Sequence, residues 1–322
     1  MALQTSMVLF EWDDETLAPK GAAEHTARVI GSLSEQYQEI LASMRFKELL
    51  DVCLKAEKEN AGVFDEVQSA ILREAAEEQE RLSCIPPEEY RAYAELTACA
   101  TGIWTRAREK NDFASFAPVL KEIISYQKKF AAYRAKPGQK LYDVMLDSFE
   151  PGFTMEKLDE FFNMLKRHIV PLLKQVMESS VRIQDDFLDG DYSEEKQRQL
   201  AEYLAKYVGF DFSRGVLAVS AHPFTTNLHN RDVRITTHYM PRDMFSNLYS
   251  VAHEGGHALY ELNIDPAYDY TAVTGGATMG IHESQSRLFE NYVGRSRAFV
   301  HCLYPTLREL FPTQLADVTE EE

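Results

Sequence analysis

Cysteine is scarce in this sequence: its 322 residues include only Cys53, Cys84, Cys99 and Cys302. The four are widely separated and contain no CxxC pair, which argues against a cysteine-based zinc site and against a disulfide framework. Scattered thiols are typical of proteins in a reducing compartment, so the cysteine content predicts a cytoplasmic protein.

The chain also has few basic residues and no long apolar runs. It has 34 lysines and arginines against 51 aspartates and glutamates. The formal net charge of −17 disfavours sequence-independent binding to nucleic acid or to an anionic membrane. No apolar run approaches the roughly 20 residues that span a bilayer. The opening MALQTSMVLFEWDDE lacks the basic and apolar regions of a signal peptide. We therefore expect neither a nucleic-acid partner nor a membrane partner.

Apolar and helical patterning is abundant. Apolar residues make up 45% of the chain, which is enough for a large core. After Thr154, a predicted helix cap, an apolar stripe recurs at three- and four-residue steps: Leu158, Phe161, Phe162, Leu165, Ile169 and Leu172. This stripe predicts a helix with a buried face, and His168 on it is predicted to be a core or boundary histidine.

Similar periodicity dominates residues 23–210, and no internal repeat or linker-like segment interrupts the chain. We therefore predict one mostly helical domain over residues 1–322, with a helical region over 1–210 and a second region over 211–322. In the second region, GVLAVSAHPF and DVRITTHY are typical of strands. Alternation in the latter would place Asp232, Arg234, Thr236 and His238 on one face, either at a site or in solvent.

The segment YSVAHEGGHALYEL carries two histidines four residues apart. On a helix, His253 and His257 would project from the same face and could share one zinc ion, with Glu254 placed to act on a water without binding the metal. This is the HExxH arrangement of zinc peptidases. Gly255 and Gly256 fall on or beside the apolar side of this helix, where they would let another backbone pack closely.

A third metal ligand must come from elsewhere in the chain. Tyr260 and Asn263 occupy positions where the metzincin pattern needs glycine and histidine, which excludes that subclass. Glu283 is favoured because it follows the glycine-bearing loop TGGATMG and opens a new apolar-periodic stretch, so it can approach from a second helix. The other acidic residues that stay open as ligands are Glu261, Asp265 and Asp269.

Three ordered segments, AHPFTTNLHNRDVRITTHY, VAHEGGHALYE and GGATMGIHESQSRLFENYVGRS, together resemble the carboxypeptidase Taq family of metallocarboxypeptidases. FEWDDETLAPKGAAEH near the start is similar to that family's N-terminal helical region. The family's motifs fall on His222, Pro223 and Phe224 (HPF), on Asp232, Arg234 and Thr236 (DxRxT), and on Glu283 (HES). The resemblance thus implies His253, His257 and Glu283 as metal ligands.

The same resemblance implies a mainly helical, zincin-type peptidase fold with a small β-sheet beside an active-site groove. It implies removal of C-terminal residues from peptides with a free C-terminus, one zinc or cobalt ion per chain, and a cytoplasmic homodimer. His222, Asp232, Arg234, Thr236, His238 and His282 are the expected substrate-binding or supporting residues. The family's IRxxAD and GxxQDxHW motifs do not occur in this chain.

The two ends of the chain also predict a longer protein. The first residues read as part of an apolar helical segment, and Thr319 followed by three glutamates is a helix-start pattern at the last residues. With the two absent motifs, this pattern leads us to expect metal binding with impaired turnover.

The expected chemistry is hydrolysis by a metal-activated water, with Glu254 as general base. Arg234 would either bind the substrate carboxylate or form a structural pair with Asp232. Its planar guanidinium can donate two parallel hydrogen bonds to either carboxylate. The alternative enzymatic function is that of a zinc oligopeptidase or endopeptidase. The non-enzymatic alternative is an inactive metal-binding or dimerising module.

Overall fold

The computed structural model describes residues 1–181, 183 and 185–322, and these form twelve α-helices and a small sheet. The predicted mainly helical class is confirmed. The helices are α1 (Ala2–Thr16), α2 (Ala23–Ala42), α3 (Met44–Glu59), α4 (Glu66–Ser83), α5 (Pro87–Glu109), α6 (Phe113–Arg134), α7 (Leu141–Asp147), α8 (Met155–Glu178), α9 (Glu194–Val208), α10 (Met244–Leu262), α11 (Met279–Arg287) and α12 (Arg297–Leu310). The strands are β1 (Gly215–Val219), β2 (Thr225–His229) and β3 (Asp232–Thr237). Among the described residues, no helix is long and apolar enough to cross a membrane.

The chain divides into two compact units, the first of which comprises Met1–Pro137, Thr226–Arg234 and Glu261–Ala277. Helices α1 to α6 build it, and side-chain caps define several of their starts, such as the reciprocal capping box between Asp65 and Gln68 on α4. Its buried apolar residues include Trp12, Ala27, Ile30, Leu50, Leu82, Ile85, Ala100, Ala107, Phe130 and Ala131. The Gln38 side chain is also buried and donates to two backbone carbonyls at 2.7 and 3.1 Å.

The second unit comprises Gly138–Thr225, Ile235–Tyr260 and Thr278–Glu322. Its fully buried apolar residues include Leu200, Ala201, Leu204, Ile235, Met244, Val251 and Ala252. Two buried amides tie the unit together: Gln197 donates to the Met240 carbonyl at 2.7 Å, and Asn247 accepts from the Thr237 hydroxyl at 2.8 Å. The Gln197 amide nitrogen and the Asn247 amide oxygen are thus partnered, as buried polar atoms usually are.

The sheet has the strand order β1-β3-β2. Strands β1 and β3 lie where the sequence predicted strands, whereas β2, with the polar sequence TTNLH, was not predicted. A two-residue turn, Asn230 and Arg231, joins β2 to β3 as a hairpin. The polar side of β3 does not simply face solvent, since Thr236 is fully buried.

Helix α8 differs most from its sequence prediction. The prediction of a buried face is wrong: all 24 residues of this helix are described, and none is buried. Its apolar stripe is present at the predicted spacing, but Phe161, Ile169 and Leu172 are about half exposed. His168, predicted as a core or boundary residue, is exposed as well.

Candidate metal centre

Helix α10 presents two histidines on one side, and α11 brings a glutamate to them. The His253 and His257 rings lie 4.9 Å apart, as expected for residues one helical turn apart. The Glu283 Oε2 atom lies 3.5 Å from His253 Nε2 and 3.4 Å from His257 Nε2. One donor atom from each of the three residues falls within 4.8 Å of the others, a group that could hold a metal ion.

The glycine pair of α10 explains how α11 comes so close. A Cβ atom on Gly256 would lie 2.8 Å from the Ser286 Cα and 2.9 Å from the Gln285 carbonyl oxygen. The predicted close backbone approach is therefore present at Gly256. At Gly255 the neighbour is instead a side chain, with Val208 Cγ2 3.0 Å from the position of a Cβ atom. Glycine at position 256 thus sets the spacing of the two helices that carry the three metal-ligand candidates.

Both histidines have partners on their other ring nitrogen. His253 Nδ1 lies 2.9 Å from Glu290 Oε2, and His257 Nδ1 lies 2.6 Å from His282 Nδ1. A hydrogen bond donated by Nδ1 leaves the Nε2 lone pair available, which is the arrangement that a metal-ligating imidazole needs. The local geometry therefore directs both Nε2 atoms, and not the Nδ1 atoms, toward Glu283.

The charge states favoured by this environment suit metal ligation. Burial, together with nearby His282 and His253, lowers the pKa of His257 to about 4, which keeps that imidazole neutral. Burial alone would raise the pKa of Glu283, but the hydrogen bond from Arg287 and the proximity of His253 lower it overall. A neutral imidazole at His257 and an ionised carboxylate at Glu283 are the forms in which these side chains bind zinc.

Glu254, next to His253 in the chain, occupies a buried position. Its side chain is 6% exposed, and its Oε2 atom accepts a hydrogen bond of 2.7 Å from the Thr225 hydroxyl. Burial raises the pKa of Glu254, and the Thr225 hydrogen bond partly offsets this effect. A carboxylate with a raised pKa holds a proton more readily, as a general base must.

The other acidic candidates for the third ligand are engaged within the first unit. Glu261 is buried and accepts a hydrogen bond from the Asn227 side chain. Asp265 caps a short 3-10 helix, and Asp269 accepts from Asn230 at 2.8 Å. These contacts give each carboxylate a structural role.

Arg234 and Asp232 pair with each other in the first unit. The guanidinium donates through Nε and Nη2 to the two carboxylate oxygens of Asp232, both at 2.8 Å. The Arg234 guanidinium also lies over the ring of the buried Trp12, with 5.6 Å between the guanidinium carbon and the ring centroid. Such a two-pronged pair with an aromatic neighbour holds the arginine in one orientation.

The remaining expected residues of the second unit, apart from His282, form polar contacts around β3. The Ser220 hydroxyl lies 2.7 Å from both the His222 carbonyl oxygen and the Thr236 hydroxyl. His238 Nε2 lies 2.7 Å from the Ser246 hydroxyl, which belongs to the first turn of α10. Thr236 and His238 therefore tie the strand to neighbouring segments of the same unit.

Two residues near the candidate metal centre, Thr225 and Glu290, were not predicted from the sequence. Thr225 follows the HPF segment directly, but its strand was not predicted, so its contact with Glu254 could not be anticipated. Glu290 lies seven residues after Glu283, but a π-helix over Leu288–Val293 carries it, so the periodicity of a regular helix does not predict its direction. Both residues lie far from the HExxH segment in the sequence and contact it through their side chains.

Comparison with known proteins agrees with the geometry. A family model described as carboxypeptidase Taq (M32) metallopeptidase matches residues 1–322. Carboxypeptidase 1 of Bacillus subtilis (strain 168) is 38% identical over 317 residues, which cover 98% of this chain and 62% of that protein. Thermostable carboxypeptidase 1 of Pyrococcus furiosus is 36% identical over 303 residues, which cover 94% of this chain and 60% of that protein.

Solved structures give the same result. The crystal structure of an M32 carboxypeptidase from Deinococcus radiodurans R1 matches with a TM-score of 0.86 and 34% identity, over 99% of this chain and 63% of that one. The chain thus spans between 60 and 63% of the length of these relatives. Within that span, the family match and the fold agree along the whole sequence, and the chain belongs to the carboxypeptidase Taq (M32) metallopeptidase family.

Proposed function

We propose that this chain carries the metal-binding site of a carboxypeptidase that removes C-terminal residues from peptides. The observation that carries the proposal is the convergence of His253, His257 and Glu283, whose donor atoms lie within 4.8 Å of one another. These three residues would hold one divalent ion per chain. We propose zinc, with cobalt as a functional substitute, because the donor set of two imidazoles and a carboxylate is common in catalytic zinc sites.

When bound, a divalent ion supplies a Lewis acid that polarises a carbonyl group and makes a water molecule more acidic. Glu254 would accept a proton from the attacking water and pass it to the leaving amine. Its burial supports this role because a raised pKa brings the carboxylate closer to the range where it can exchange a proton. Thr225 would fix the orientation of the Glu254 carboxylate through its 2.7 Å hydrogen bond.

Arg234 is better explained as a structural residue than as the group that binds the substrate carboxylate. Two of its nitrogen atoms already donate to Asp232, and a substrate carboxylate would have to replace that partner. The neighbouring Trp12 is only 3% exposed, which places the guanidinium beside the core of the first unit. We therefore propose that Arg234, Asp232 and Trp12 support the β2–β3 hairpin.

The cellular setting proposed for the whole protein is a homodimer in the cytoplasm that acts on peptides with a free C-terminus. Cys53, Cys84, Cys99 and Cys302 are free thiols, which suits a reducing compartment. The dimer is proposed from the family resemblance, and light scattering on the purified protein would measure it.

Peptide cleavage tests the proposed activity. Zinc-loaded protein of the relatives' full length should release the last residue from a short N-terminally blocked peptide and should leave the C-terminally amidated form of that peptide intact, whereas this chain should bind zinc and release the residue much more slowly. Cleavage of both peptides at an internal bond would instead indicate an oligopeptidase or endopeptidase, and stoichiometric zinc without cleavage by either protein would indicate a metal-binding module. Because the chain covers 62% of the Bacillus relative, a protein of the relative's full length should be assayed in parallel.

A further inference from the structure

Glu290 is a nearly buried carboxylate beside the candidate metal centre. Its side chain is 12% exposed and makes three contacts with positively charged or donor groups. Oε2 lies 2.9 Å from His253 Nδ1 and 3.0 Å from Arg287 Nη1, while Oε1 lies 3.1 Å from Arg295 Nη2. The carboxylate is therefore held at both oxygen atoms.

A π-turn over Leu288–Val293 carries Glu290. The wider turn has i to i+5 spacing, and Arg295, which bonds Glu290, is five residues further along the chain. Gly294 closes the turn by donating to the Phe289 carbonyl at 2.7 Å, and a Cβ atom at position 294 would lie 2.7 Å from the Glu290 carbonyl oxygen. Such single π-turns recur at functional sites, where they change the direction of a side chain.

The two arginines determine what Glu290 can do for His253. Because Arg287 and Arg295 both donate to it, the carboxylate acts as an acceptor toward the imidazole, and His253 Nδ1 must be the donor. The proton then resides on Nδ1, and the Nε2 lone pair faces the Glu283 carboxylate 3.5 Å away. The ring is fixed both in tautomer and in orientation.

We propose that Glu290 is the positioning residue for His253, holding its imidazole in the tautomer and orientation that bind a divalent metal. This inference rests on the proposed metal centre and adds a residue outside the HExxH and HES motifs. His257 has a different support, because its Nδ1 atom lies against His282 Nδ1 at 2.6 Å and not against a carboxylate. Of these two contacts, only that of His253 is to an anionic group.

Substitutions at position 290 separate positioning from net charge. Glu290→Leu removes both the acceptor and the charge, whereas Glu290→Gln removes the charge but keeps a carbonyl oxygen that can accept from Nδ1. The matched control is Glu195→Gln on α9, which also removes one carboxylate bonded to an arginine, at 2.6 Å from Arg198. Each variant is purified without metal, and its zinc affinity is measured by competition with a chromophoric chelator.

We expect Glu290→Leu to bind zinc about 10–100-fold more weakly than wild type, which is the usual effect of losing a support behind a ligand. The Glu290→Gln variant should lose less zinc affinity than Glu290→Leu, and the Glu195→Gln control should bind zinc as tightly as wild type. A second measurement, nitrogen-15 NMR of the histidine rings in the metal-free proteins, should show His253 protonated at Nδ1 in wild type and as a tautomer mixture in Glu290→Leu. A purely structural residue would not change this tautomer signal.

Two results would overturn the proposal: wild-type zinc affinity in a folded Glu290→Leu protein, or an unchanged His253 tautomer in that protein. Equal loss in the Leu and Gln variants would also overturn it, because only the charge would then matter. If Leu prevents folding, Glu290→Ala, which also removes the acceptor, takes its place in both measurements. If wild type itself binds no zinc, the proposed function fails, while the metal-free NMR comparison still tests Glu290 separately.

Discussion

Replacing Gly256 with alanine tests how closely α10 and α11 must pack to form the metal centre. An alanine Cβ would lie 2.8 Å from the Ser286 Cα and 2.9 Å from the Gln285 carbonyl oxygen. Non-bonded carbon atoms prefer about 3.5–4.0 Å, and both neighbours belong to the backbone, so α11 would have to move by roughly 0.7 Å or more. A side-chain rotation cannot relieve this contact.

Two opposing free energies decide the effect of Gly256→Ala on stability. Alanine is favoured over glycine in a helix interior by about 1 kcal/mol, and overpacking a close contact costs about 1–3 kcal/mol. We therefore expect the free energy of unfolding to fall by about 0–2 kcal/mol. Because α11 carries Glu283, the same displacement should separate the three donor atoms, and zinc affinity should fall clearly even where stability changes little.

The matched control is Gly102→Ala on α5, where the nearest neighbour of the new Cβ atom is Arg106 Nη1 at 3.5 Å, an ordinary contact. This variant should gain about 1 kcal/mol and keep wild-type zinc affinity. Urea unfolding with a chelator present removes the contribution of bound metal, and chelator competition gives the zinc affinity. The reasoning is refuted if Gly256→Ala is as stable as Gly102→Ala and binds zinc as tightly as wild type.

Three further predictions concern the ligands, the base and the core. Glu283→Ala should abolish stoichiometric zinc binding, while Asp269→Ala should keep it, and the reverse result in metal analysis would make Glu283 the wrong third ligand. Glu254→Gln in a protein of the relatives' full length should retain zinc and lose about 10²–10⁴-fold in kcat, because an amide cannot accept the proton, and near-normal kcat would exclude that role. Gln38→Ala should lower the free energy of unfolding by about 1–3 kcal/mol, since two buried carbonyls lose their donor, and a change below about 0.5 kcal/mol in urea unfolding would contradict this account.

The spatial grouping of the three metal-ligand candidates could be predicted because its main determinants are local. The spacing of His253 and His257 fixes their common helix face, and Thr278, at the start of α11, caps the helix that carries Glu283 by accepting from the Ile281 N–H at 3.2 Å. The two glycines of α10 also indicated a tertiary contact. Glycine destabilises a helix interior, so its presence there implied that a neighbouring segment packs closely against the helix. Local patterns therefore located the candidate site, even though its parts come from two helices.

The supporting residues could not be predicted in the same way. Thr225 begins a short polar strand whose composition does not distinguish it from a loop, and its contact with Glu254 joins residues 29 positions apart in the sequence. Glu290 depends on a π-turn, and nothing in the sequence LFENYVG distinguishes that turn from a regular helix. Long-range contacts and small changes in helix pitch decide both positions.

The exposed stripe of α8 has a practical consequence for dye-based assays. Phe161, Ile169 and Leu172 are 48 to 58% exposed in the folded chain, so the stripe offers an apolar surface to small amphiphiles before any unfolding occurs. Environment-sensitive fluorophores such as anilinonaphthalene sulfonate should bind there and fluoresce strongly in the native protein. A thermal-shift curve recorded with such a dye would start from a high baseline and understate the melting transition, so intrinsic fluorescence or circular dichroism is the better readout for every stability comparison proposed above.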